Sequence, residues 1–117
     1  MGALNKLNVA SFAVTDVDDA GDYPSGGSGV FIPAGAFVTG VFLEETENFA
    51  SGTNIKIAAG ATDLTGTVNT GDVATGSITV TGFKVNAPGE LKMVTTGDHG
   101  GAGGARIHVT YVNSVDA

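Results

Sequence analysis

The chain has 117 residues, 5 basic and 12 acidic for a net charge of −7, no cysteine or tryptophan, and glycine at 19 positions. That length allows one domain, the missing thiols exclude disulfides and thiolate metal sites, and five scattered cations cannot build a nucleic-acid-binding face. No apolar run approaches the ~20 residues of a membrane-spanning helix; 42 % hydrophobic against 15 % charged residues opposes disorder.

Residues Met1 to Lys6 lack the long apolar core of a secretory signal. From there the chain reads as strands, because Thr, Val and Ile dominate its periodic segments and their branched Cβ atoms suit a pleated surface. Leu7–Val14 is the first strand, ended by the acidic stretch 16–22. Residues 23–29 form a loop, Val30–Ile32 a short strand stopped by Pro33, and Ala34–Gly35 a turn. Phe37–Leu43, apolar on both faces, is a central strand, and the adjacent Glu44 and Glu45 are expected to end it and to discourage edge-to-edge pairing. Asn54–Ile57 alternates, and residues 65–76 read as a loop with a weak strand. Ile78–Thr81 and Phe83–Val85 alternate in opposite phases, which predicts a bulged strand with the extra residue at Gly82. Glu90–Thr96 and Arg106–Val112 complete the set. In the last strand Ile107, Val109 and Tyr111 face the core, while Arg106, His108 and Thr110 face water or a partner. About seven or eight short strands with Gly-rich turns predict an all-β fold, an antiparallel sandwich or jelly roll. It is one domain, with residues 1–27 an N-terminal strand or arm plus acidic loop, and residues 28–117 the sandwich core. Most of the six phenylalanines are expected in that core.

Chemistry-bearing clusters are few. Asp16, Asp18, Asp19 and Asp22 place four carboxylates within seven residues, which invites calcium. The EF-hand pattern nevertheless fails at Ala20 and Gly27, so a solvated acidic loop is the plainer reading. Residues 97–104 superficially resemble a phosphate loop, but strand-like sequence follows and no Lys-Ser/Thr pair is present; a long hairpin loop joining the last two strands is expected instead. His99 and His108 are too isolated in sequence to suggest a metal pair. Catalysis has no nucleophile elbow, and carboxylate pairs drawn from Glu44, Glu45, Glu47 and Glu90 are what any acidic protein offers. No enzyme activity, cofactor, nucleic-acid partner or membrane contact is expected. With so few charges, the surface must expose Thr, Ser, Asn, Gly and apolar atoms, which suits permanent protein contacts and predicts self-association.

The stretch Phe31–Leu43, with its Ile-Pro-x-Gly-Ala turn leading into a strand, continues through the acidic, threonine-containing break 44–53, the strand Asn54–Ala58 and Gly-Ala-Thr-Asp-Leu at 60–64. With the closing strand Ala105–Val112, this pattern over residues 28–112 resembles tailed-bacteriophage capsid decoration (cement) proteins and other small head-associated virion structural proteins. The resemblance implies a β-rich protein on the outer face of an icosahedral head, often a trimer at local threefold positions. It also implies a role in clamping major capsid subunits against the pressure of packaged DNA. The N-terminal arm of such proteins corresponds here to Met1–Phe12, so Leu4, Leu7, Val9 and Phe12 are the candidate subunit or capsid contacts. Alternatives are a head-fibre base or tail component, and a carbohydrate-binding sandwich. The latter is disfavoured because the only large polar aromatics are Tyr23 and Tyr111.

Overall fold

Two antiparallel sheets face each other in a computed structural model that describes residues 7–15, 17, 21–49, 53–69, 76–82, 84–96 and 103–113. The strands are β1 (Leu7–Val14), β2 (Gly21–Tyr23), β3 (Phe31–Ile32), β4 (Ala36–Glu47), β5 (Asn54–Ala59), β6 (Thr62–Asp63), β7 (Val68–Asn69), β8 (Gly76–Ile78), β9 (Gly89–Thr96) and β10 (Gly104–Asn113). The first sheet has the order β1-β10-β4-β8; the second has β2-β9-β5-β6, with β3 also paired to β9 and β7 to β5. No helix occurs among the described residues.

Period-two alternation sets the faces. Across the first sheet, Phe12, Ile107 and Leu43 align in one row and Ala10, Val109, Val41 and Ile78 in the next. All seven are buried. On the second sheet, Ile57 aligns with Met93 and Ala59 with Leu91, again buried. The two inward faces, with Ile32, Val38, Leu64 and Val85, form one core, in which each fully buried Ile or Leu contributes about 1.5–3 kcal/mol. Polar side chains inside it are satisfied locally. Thr65 Oγ1 accepts from the Ile57 amide at 3.0 Å and donates to the Gly66 carbonyl at 2.9 Å.

The turn before β4 follows from its chemistry. The Ala36 amide donates to the Pro33 carbonyl at 3.2 Å, and the third turn residue, Gly35, has φ +83°, a type II arrangement that glycine adopts without a Cβ penalty. Gly35→Ala is expected to cost about 1 kcal/mol, checked by urea denaturation.

Several expectations are corrected. Glu44 and Glu45 do not end the central strand: β4 runs to Glu47 because β10 stays alongside, pairing Ala105 with Glu45 and Gly104 with Glu47. Residues 78–85 do not form one bulged strand. Only Gly76–Ile78 pairs with β4 as a strand; beyond it Val80 bridges to Thr65 and Lys84 returns to β4 at Phe37, so the phase change lies where the chain leaves β4 and comes back to it. The register shifts lie instead in the β10–β4 pair, at Gly104/Ala105 and Thr110/Tyr111. Strands β9 and β10 are not a hairpin, since they belong to different sheets. Among the described residues the strands number ten, against the seven or eight expected, the extra ones being pieces of two or three residues. Phenylalanine is mostly not core: Phe12 is buried, Phe31, Phe37 and Phe42 are exposed, Phe49 is half-buried, and Phe83 lies outside the described residues. On β4 the reason is the register shift with β10, which passes over Thr39 between Val38 and Gly40; the inward set changes from Ala36 and Val38 to Val41 and Leu43, so Phe37 and Phe42, five residues apart, both face outward.

Candidate interaction surface

The outward faces of the two sheets differ in chemistry. The second sheet turns charged residues outward. Lys56 Nζ meets Asp63 Oδ2 at 3.0 Å and Lys92 Nζ meets Asp22 Oδ2 at 3.3 Å, all four side chains substantially solvated. Such pairs contribute only ~0–1 kcal/mol each, and they keep this face wet. Glu90, beside them, holds the preceding loop through the Gly29 amide at 2.9 Å.

The first sheet turns apolar residues outward. Among the described residues the exposed large hydrophobics are Leu7 (59 %), Val9 (62 %), Phe31 (57 %), Phe37 (47 %) and Phe42 (41 %), and all but Phe31 lie on this one face. Register places them together. Leu7, Val112 and Phe37 form one cross-strand row; Val9, Thr110 and Gly40 form the next; and Ser11, His108, Phe42 and Ser77 form the third. Arg106 stands in a fourth row between Ala13 and Glu44. Thr39 and Thr110 share a hydroxyl–hydroxyl bond of 2.9 Å, fixing the middle of the face. Gly40 matters here, because a Cβ there would stand 2.9 Å from Thr110 Oγ1.

A polar line crosses the third row. Ser11 Oγ lies 2.7 Å from His108 Nδ1, and His108 Nε2 lies 3.5 Å from Glu44 Oε1. The Phe42 ring packs beside the imidazole with centroids 6.3 Å apart. Ser, His and Glu in series are the ingredients of an activated nucleophile. The setting, however, is an open pleated surface, where backbone amides lie in the plane of the sheet and are spent on the ladder. The line therefore orders side chains across β1, β10 and β4.

The other candidate residues are dispersed. Of the four aspartates, Asp22 is exposed and paired with Lys92, and Asp16, Asp18 and Asp19 lie outside the described residues. Among the described residues no group of three or more His, Asp or Glu side chains is placed to hold a metal ion. His99 also lies outside them, as does Leu4. Leu7 and Val9 stand on the apolar face, whereas Phe12 points the other way into the core. Reasoning from sequence missed Phe37, Phe42 and Val112 as surface residues; alternation in β10 carried the signal for Val112, two residues on from Thr110, whereas Phe37 and Phe42 are five residues apart and share a face only through the register shift at Thr39, which no local pattern reveals.

No family model and no curated protein matches this chain. Among solved structures, the fold is similar to a chain of the cyanophage Pam1 capsid asymmetric unit, with a TM-score of 0.69 and 16 % sequence identity over 93 % of this chain and 86 % of that one. The two chains are thus of nearly equal length, and the likeness is one of fold.

Proposed function

We propose that this protein is a bacteriophage virion structural protein that decorates and stabilises the mature head. It binds the outer surface of the major capsid protein lattice and copies of itself, the resemblance implying a trimer. The observation that carries this reading is the apolar outward face of the β1-β10-β4 sheet, a contiguous surface that isolated monomers rarely leave bare. Likeness of fold to a chain from a phage capsid supports it.

The mechanism is linkage. A protein that binds the assembled lattice, and not dissociated subunits, shifts the equilibrium toward the lattice by an amount set by its affinity and concentration. It needs no cofactor and no turnover. The net charge of −7 favours the exterior, away from packaged DNA. The deciding experiment is co-sedimentation of the purified protein with empty expanded shells of its phage, together with surface labelling of intact particles. Saturable, stoichiometric pelleting and accessible label are expected; pelleting no greater than that of an unrelated acidic protein, or a copy shielded from label, overturns the reading.

A further inference from the structure

The edges of the two sheets are treated unequally. On the second sheet β2 has three residues, including Asp22, and runs into Pro24; β6 has two, including Asp63. On the first sheet β8 has three residues. Short length, charge and proline are the usual means of stopping a sheet edge from adding a strand. Strand β1 has none of them. It is eight residues long, Leu-Asn-Val-Ala-Ser-Phe-Ala-Val, without charge, proline or glycine, and no described strand lies beyond it.

We propose that β1 is a pairing edge whose occupant is β1 of a second copy of this chain, joined antiparallel across a two-fold axis near Ser11. Two features select a copy in this register. First, the chain carries −7 overall, so two copies repel unless they approach where charge is absent, and β1 is such a place. Second, a centre at Ser11 opposes Val9 with Ala13 of the copy and Ala10 with Phe12 of the copy, so large residues meet small ones on both faces. The result is one continuous sheet of eight strands. Its outer side carries two copies of the Leu7–Val9–Phe37–Phe42 surface in one plane, a broader and still isologous face. This pairing is read on the protein alone and stands or falls independently of binding to shells.

The test is mass in solution. Analytical ultracentrifugation of the wild-type protein is expected to give twice the 11.6 kDa chain mass, or an even multiple if a threefold contact forms through another surface. Ser11→Lys and Ser11→Glu each place like charges directly opposite one another, and each is expected to weaken dimerisation at least tenfold. An equimolar mixture of the two pairs Lys with Glu and regains the dimer mass, which loss of the Ser11–His108 hydrogen bond alone does not explain. Because the chain has no cysteine, Ser11→Cys supplies a single thiol. Mild oxidation is expected to link it to its copy, while Ser25→Cys in the exposed loop stays unlinked. A wild-type mass of one or three chains, charged variants that keep the dimer, or a mixture that stays monomeric overturns the proposal. Should the charged variants fail to fold, the cysteine pair decides it: equal linkage at both positions overturns it.

Discussion

Gly82→Ala lowers the melting temperature by about 10 °C or more, whereas Gly66→Ala leaves it unchanged or slightly raised. The contrast lies in what a Cβ would meet. At Gly82 it falls on the Asp63 carbonyl oxygen, with the Asp63 carbonyl carbon at 3.1 Å and Leu64 Cα at 3.5 Å. These are backbone atoms, which cannot rotate away as a side chain tip can. The same contact is hydrogen-bonded, the amides of Thr81 and Gly82 donating to the Leu64 carbonyl at 2.9 and 3.2 Å. Leu64 in turn is fully buried, and its amide donates to Ile57 at 2.8 Å. Moving residues 81–82 outward to admit a methyl group therefore strains two hydrogen bonds and pulls on a core leucine. Overpacking costs ~1–3 kcal/mol where side chains can adjust, and here the upper end applies. For a domain of this size ~3 kcal/mol corresponds to roughly 10 °C, a large part of a total stability of about 5–15 kcal/mol. At Gly66 a Cβ meets nothing within 4 Å and φ is not in the left-handed region, so alanine acts mainly by restricting the unfolded chain, worth ~0.4–1 kcal/mol. Calorimetric scans of the two variants beside the parent check this; equal melting temperatures refute it.

Gly82 also shows where sequence reasoning stops. Opposite phases in Ile78–Thr81 and Phe83–Val85 are real, and a bulge is the simplest local account. The actual cause is non-local: after Ile78 the chain leaves β4, Val80 bridges to Thr65, and Lys84 rejoins β4 at Phe37. Alternation sufficed for β1, β5, β9 and β10, because each is long enough to bury one face and a one-residue slip would reverse it; in β4 the period breaks at Thr39, where the register with β10 shifts. It failed for β2 and β6, where two or three residues carry no period. The length of β4 was hidden for a related reason, since Glu44, Glu45 and Glu47 look like a stop until β10 is known to run beside them. The Ser11–His108–Glu44 line was illegible because its members are 97 and 64 residues apart in sequence, and only the register of β1, β10 and β4 brings them into one row. Of the candidate contact residues, Leu7 and Val9 are exposed, while Phe12 differs from them by one step of parity and is buried.

Phe37→Glu with Phe42→Glu is expected to reduce retention on empty expanded shells at least tenfold while leaving the fold intact. Both rings point outward from β4 at 47 % and 41 % exposure, so the substitutions leave the inward residues Val38, Val41 and Leu43 in place, and the unbound protein loses only surface packing, including that of Phe42 on His108. In the bound state the balance reverses. Each ring removed forfeits up to a few kcal/mol of apolar burial, and each carboxylate that replaces it must be desolvated without a partner, an added cost of the same order or larger. A tenfold loss needs only 1.4 kcal/mol, so the double variant has margin. Strand β4 is separated from the β1 edge by β10, so dimer mass is expected to be unaffected, which keeps lattice docking distinct from self-pairing. The matching control is Val94→Glu on the outer side of the second sheet, in the row with Asp22 and Lys56, where added charge joins a face already solvated and retention is expected to hold. Apolar docking further predicts that raising salt to 1 M, where screening acts within about 3 Å, does not shed the wild-type protein. Loss of retention with Val94→Glu and not with the β4 pair would assign the lattice contact to the charged sheet instead, and release by salt alone would make charge rather than burial the force that holds the protein in place.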